Sequence, residues 1–252
     1  MAFLKFKKML CFPIIFMLLI IASCQNAPVP QTASNDSKPL DLDLPAEINE
    51  VKDTTAYTMG KKLLEVEDMP SEILLYVDKT PIYKKNIEYA LFTKRWSAAQ
   101  GIASINNSFE FSDDKKEQLI KDVINQLETE DQIIENQIKS IVLYNEAVRL
   151  KLETTFEEAK STLEDAQKNI SSEDTSLKDY FDMIKGTGLT VEAYREKYEI
   201  SAMQSSMTLY NLREYFVNSI SNERKSDEEY INSEYEKYID GLIKKAKIEY
   251  VK

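Results

Sequence analysis

Five glycines serve 252 residues, and that scarcity narrows the available folds more than any other single feature. Tight β-hairpins and barrel corners need positive φ, which glycine adopts at least cost, so a barrel with many turns is disfavoured. A glycine-rich phosphate loop is equally short of material. Helices are not, because their caps are built from Ser, Thr, Asp and Glu. The chain also has no histidine. That removes Ser-His-Asp and Cys-His catalysis, His-bearing zinc sites and the Glu-x-x-His di-iron bundle. Lys and Arg number 32 against 43 Asp and Glu, a formal charge of −11. Nucleic acid is thereby excluded as a partner, since neutralising phosphates needs a clustered basic excess. The expectation is a mainly α protein that is not an enzyme and needs no metal, no cofactor and no small-molecule substrate.

The first residues carry their own signal. Lys5, Lys7 and Lys8 precede fourteen uncharged residues, Met9 to Ala22, the layout of a secretory signal and too short to span a bilayer comfortably. The run ends in Ile21-Ala22-Ser23-Cys24, which resembles the lipobox of bacterial lipoproteins. That resemblance implies a signal peptide over 1–23, a diacylglycerol on the sulfur of Cys24 and an acyl chain such as palmitate on the new amino terminus. The protein would then be lipid-anchored on the extracytoplasmic face of the cell membrane. Cys11 lies within the removed segment, so Cys24 is left without an intramolecular partner. Cleavage removes three lysines and no acid, leaving a formal charge of −14 on 229 residues. A body so acidic is repelled by anionic lipid, so acyl chains rather than a basic patch would hold it at the surface.

Residues 24–45 contain four prolines and almost nothing able to form a core; they read as a flexible, lipidated tether. Residues 46–70 suggest one or two short helices ended by Pro70. Ile73 to Val77 is a short apolar strand followed by turn chemistry at Asp78-Lys79-Thr80-Pro81. Helical spacing of Ile87, Ala90, Leu91 and Trp96 marks a helix from Tyr83 to about Gln100, with Trp96 as a core anchor and Gly101 to Phe111 as a loop. Ser112 opens a long stripe in which Ile120, Leu127, Ile134, Ile141 and Val148 recur every seven residues. One helix from Asp113 to Leu152 would be about 60 Å long, so it breaks near Glu128-Thr129-Glu130 or protrudes. A coiled-coil dimer is the lesser reading, because Asp131 and Asn145 interrupt the seam. Thr155-Phe156-Glu157-Glu158 and Ser226-Asp227-Glu228-Glu229 are capping boxes, and Thr190 caps a helix running towards Ile220. Ile248 to Val251 alternates like a strand, and Ile73–Val77 is its only good partner.

Four blocks, in order, resemble one family. Leu75-Tyr76-Val77-Asp78-Lys79-Thr80-Pro81-Ile82-Tyr83 resembles the opening of the N-terminal domain of SurA- and PrsA-type extracytoplasmic chaperones. Ile138 to Ala147, continuing through Arg149-Leu150-Lys151-Leu152 to Thr155-Phe156-Glu157-Glu158-Ala159, resembles that domain's long helix and the restart after it. Gly188-Leu189-Thr190-Val191-Glu192-Ala193-Tyr194 and Lys244-Lys245-Ala246-Lys247-Ile248-Glu249-Tyr250 resemble its later restart and its ending. The resemblance implies one helical domain of that type over 71–252, closed by a small sheet between the first strand and the C-terminal strand. Two departures stand out. Asp78-Lys79 replaces the usual Asn-Gly turn, and only Ser221 to Lys225 separates the last two helices, which leaves no room for a parvulin isomerase domain.

Two functions follow. The first is a holdase-like chaperone that binds unfolded or partly folded exported proteins without prolyl-isomerase activity. The second is a structural adaptor that docks one folded envelope partner. Fourteen tyrosines and eight methionines suit a soft, adaptable apolar surface; Tyr194, Met203, Met207 and Tyr210, on one helix, are the candidate lining residues. The acidic runs Glu128–Asp131 and Asp227–Glu229 lack the alternating ligands and glycine turn of a calcium loop and read as solvated caps.

Overall fold

A computed structural model describes residues 44–168, 175–220, 224 and 227–251. The signal-like segment, Cys24 and the tether lie outside the described residues. The chain is mainly helical with one three-stranded antiparallel sheet. In chain order the elements are α1 (Ala46–Asn49), α2 (Ala56–Asp68), β1 (Ile73–Val77), β2 (Thr80–Tyr83), α3 (Lys84–Asn107), α4 (Asp113–Asn125) and α5 (Glu130–Arg149). They continue with α6 (Phe156–Lys168), α7 (Thr175–Gly186), α8 (Val191–Tyr194), a π-helical turn (Arg195–Glu199), α9 (Ile200–Ser219), α10 (Glu228–Ile243) and β3 (Ile248–Tyr250).

The sheet order is β2-β1-β3. β1 pairs with β3 through Leu75↔Tyr250, Tyr76↔Glu249 and Val77↔Ile248, so the two strands expected to close the domain do close it. Thr80–Tyr83, where the sequence predicts a turn and a helix start, is instead a second strand paired to β1, with Val77 opposite Thr80 and Tyr76 opposite Pro81. Proline is tolerated there because β2 is an edge. Asp78 and Lys79 make the hairpin turn with φ of 47° and 73°, the left-handed pair that a two-residue primed turn requires. Asp78 also holds the C-terminal strand. Its N–H donates to Lys247 O, and its carboxylate accepts from the Lys247 N–H at 2.9 Å.

One face of this sheet buries Leu75, Val77 and Ile82 against Ile87 and Ala90 of α3 and Ile133, Ile138, Ile141 and Val142 of α5. The other half of α5 packs Leu143 and Ala147 against Leu212 of α9 and Ile239 of α10. Thus α5 is the shared wall of two cores. The long heptad stripe does break: α4 ends at Asn125, and Thr129 starts α5 with a full capping box, its hydroxyl accepting from Gln132 N–H and Gln132 Oε1 accepting from Thr129 N–H. Thr155–Glu158 forms the second box. The third expected box shifts by one residue, because Asp227 is the cap and accepts from the Tyr230 N–H.

Two boundaries differ from expectation. α3 runs through Gly101 to Asn107, so the predicted loop over Gly101–Phe111 shrinks. Burial of Ala99 and Ile102 beside Ile48, Val51 and Ile120 outweighs the roughly 1 kcal/mol helix penalty of one glycine. Residues 46–70 are not an appendage to a domain starting at Ser71. Ile48, Val51, Met59, Leu63 and Val66 are buried, and Trp96 is the core anchor expected of it, donating Nε1–H to Thr54 O at 2.7 Å.

α2 and α7 cross at glycines. A Cβ on Gly60 would sit 1.9 Å from Met183 O, and one on Gly186 would sit 2.1 Å from Tyr57 O. Both clashes are with backbone, so no rotamer relieves them. Gly60→Ala is expected to force the helices apart and cost about 3 kcal/mol, measured by urea unfolding; stability equal to wild type would show the crossing is soft. Removing Ile248–Lys252 is expected to lower the thermal midpoint by several degrees, because it orphans β1 backbone groups along one side. An unchanged midpoint would mean that β3 contributes nothing to closure.

Candidate functional site

The candidate lining residues sit on and before α9. The segment joining α5 to α6 is fastened to α9 by a row of polar side chains. Thr208 Oγ1 accepts from the buried Thr154 N–H, Gln204 Nε2 donates to Thr154 O, and Asn211 Nδ2 donates to Leu152 O and Thr154 Oγ1, all between 2.8 and 3.2 Å. Below that row, Ala159 and Leu163 of α6 pack on Ile200, with Met203 and Met207 half-buried against them. Between the two helices runs an open groove of about 370 Å³ lined by Thr154, Glu158, Ser161, Thr162, Met207 and Asn211. Its one acid, Glu158, is held below the usual carboxylate range by the Thr155 N–H and hydroxyl. The groove is therefore anionic at neutral pH.

Met203, Met207 and Tyr210 follow at four- and three-residue spacing and share one side of α9. Tyr210 is 61% exposed at the end of this row. Tyr194 is not part of the surface. Its side chain is fully buried, edge-on to Tyr180 at 6.4 Å and against Tyr198 at 5.1 Å between ring centres. The physical reason is helix spacing: nine residues separate Tyr194 from Met203, about two and a half turns, which puts the two on opposite sides of a helix. Sharing one helix is not sharing one face.

The same π turn makes a second polar centre that sequence reasoning missed. Glu199 is 2% exposed. Arg195 Nε lies 3.9 Å from its Oε2, and neither carboxylate oxygen has a hydrogen-bond partner among the described residues. Burial pushes the Glu199 carboxyl above its ordinary range, while the nearby Tyr180 hydroxyl, outside hydrogen-bond geometry, and the Arg195 charge pull the other way. Tyr180 is itself pushed up to about 12, mainly by burial and then by Glu199. Nothing local in the sequence marks Glu199, since its burial is set by what packs over the turn. Elsewhere the acidic runs are structural. Glu128 pairs with Lys94 at 2.9 Å and accepts from Asn136. Among the described residues no group of three or more acid or thiol side chains could hold a metal ion, and no helix is long and apolar enough to cross a membrane.

No protein-family model, curated protein or solved structure matches this chain.

Glu199 generates a pH prediction. A carboxyl whose folded pKa is raised binds its proton more tightly folded than unfolded, so its contribution favours folding in acid and is lost as pH rises through the folded value. Glu199→Gln is expected to gain stability relative to wild type as pH increases from about 4.5, the ordinary carboxylate value, towards 8. Parallel denaturant midpoints for the two proteins across that range would overturn the assignment.

Proposed function

We propose that this protein is a lipid-anchored, extracytoplasmic chaperone-like holdase that binds unfolded or partly folded exported polypeptides without catalysis. The observation that carries the reading is the α9 flank. Met203 and Met207 offer polarisable, conformationally adaptable side chains beside an open groove, and Tyr210 projects from the next turn. Such a surface tolerates clients of different shape better than a preformed pocket does. Phe156, partly exposed at the start of α6, adds a second aromatic to the helix pair. The negative charge keeps the protein soluble and self-repelling while it presents apolar groups. The ordered blocks resembling SurA- and PrsA-type N-terminal domains support the same reading, and the eight residues between α9 and α10 leave no place for an isomerase domain. Ile21-Ala22-Ser23-Cys24 supports attachment through Cys24.

The membrane-extracted protein is expected to delay aggregation of several unrelated unfolded proteins. Tyr210→Ser is expected to weaken that effect while changing stability by no more than about 0.5 kcal/mol, because the ring is largely in solvent. Tyr194→Ala should instead destabilise by about 3–5 kcal/mol, as expected for an emptied aromatic core position. Failure to protect any client in molar excess would exclude a holdase and leave the adaptor role. Cys24→Ala is expected to leave unprocessed or released protein. An intact mass showing a free Cys24 thiol in membrane-extracted material would exclude the anchor.

A further inference from the structure

We propose that the tip of the α3–α4 hairpin, carrying Phe109 and Phe111, inserts into the interfacial layer of the lipid bilayer. The inference rests on the lipid-anchor reading and concerns a different part of the molecule from the α9 flank.

Phe109 is 78% exposed, the highest value among the exposed large apolar side chains of the described residues, and Phe111 is 38% exposed two positions later. They stand in the sequence Ser108-Phe-Glu-Phe-Ser112, which offers no apolar neighbour to cover them. An aromatic ring left in water forgoes about 1.5–3 kcal/mol of burial. The tip is firmly mounted. The buried Lys116 spans the hairpin and donates to Asn106 O at 3.1 Å, Ser108 N–H closes α3 on Ile105 O, and Glu110 N–H donates to Ser108 Oγ. A rigid mount lowers the ordering cost of an insertion.

The place where the chain enters the fold selects the occupant. Leu44, the first described residue, packs against the cluster of Ile102, Ile105, Ile120 and Ile124 inside this same hairpin, and Asn49 Nδ2 donates to its carbonyl at 2.8 Å. Phe109 lies four residues beyond Ile105, just past the extended cap residue Ser108 that ends α3. Nineteen residues, Gln25 to Asp43, separate Leu44 from Cys24, and a random-coil chain of that length spans about 25 Å root-mean-square. A bilayer holding Cys24 is therefore presented to the hairpin at high effective concentration. Charge favours neutral lipid over anionic lipid. Glu110, Asp113, Asp114 and Glu117 outnumber Lys115, Lys116 and Lys121 around the tip, so the contact is apolar wedging of aromatic rings at the headgroup level. Two rings alone bind weakly, and the anchor makes their insertion effective.

The test uses full-chain Phe109→Trp extracted from the membrane in which it is made, with the mass of Cys24 determined first. The protein is reconstituted into phosphatidylcholine vesicles whose acyl chains are brominated near the headgroup. Trp96, buried in the core, serves as an internal reference, and Tyr250→Trp on β3 as an exposed control. Insertion is expected to blue-shift and quench the indole emission introduced by Phe109→Trp, while the Tyr250→Trp protein keeps an aqueous spectrum. Unquenched emission from Phe109→Trp in protein whose Cys24 is acylated would overturn the insertion and leave the anchor standing. If Cys24 proves unmodified, the anchor fails by itself. The unacylated chain is then titrated with the same vesicles, where quenching at high lipid supports insertion and its absence at saturating lipid overturns it.

Discussion

β1 is held from both sides, and the rest of the molecule depends on that. Leu75 and Val77 are fully buried, while their backbone is bonded to a hairpin partner five residues away and to a C-terminal strand some 170 residues away. A lone terminal strand cannot satisfy its own N–H and C=O groups, and a two-stranded hairpin is marginal in water. The third strand removes both problems. Because β3 follows α10 directly, the pairing also sets where α10 meets α5, and hence the second core around Ala147, Leu212 and Ile239. Asp78 concentrates this coupling in one residue, since it makes the hairpin turn and caps the incoming strand.

The helical layers around that sheet are joined by polar fastenings as well as by apolar faces. Thr154 is buried and satisfied by three side chains of α9, which fixes α6 against α9 and leaves the Met203–Met207 side open. The π turn preceding α9 does the opposite for Glu199, placing a buried carboxyl near Arg195 and the Tyr180 hydroxyl with neither in hydrogen-bond geometry. A group so placed weakens the fold as pH rises.

Helix starts were legible in the sequence because caps are local chemistry. The box at Thr155 and the cap at Thr190 depend on residues three positions apart. The break near Glu128-Thr129-Glu130 was legible from length, as the alternative to a protruding helix of about 60 Å, and the box at Thr129 that makes it is seen only in the structure. β2 was less legible, since Thr80-Pro81 is turn chemistry and becomes an edge strand only through pairing with Val77 and Tyr76. Of the candidate lining residues, Met203, Met207 and Tyr210 share a side of α9 as their spacing requires. Tyr194 does not, because it precedes Met203 by nine residues, about half a turn off their side, and packs against Tyr180 and Tyr198.

Composition and local pattern alone determined that the chain is helical and acidic, where most of its caps fall, which strand closes on which, and that an apolar run ends at Cys24 in a lipobox-like setting. These follow from hydrogen bonds and periodicities within a few residues, or from there being only one plausible mate for a strand. Tertiary structure decided the rest. Gly60 and Gly186 meet only because two helices cross there, residues 46–70 become core only against α3 and α7, and Tyr194 and Glu199 are buried only by what packs over them. Burial is a property of neighbours distant in sequence, and no local pattern encodes which neighbours those will be.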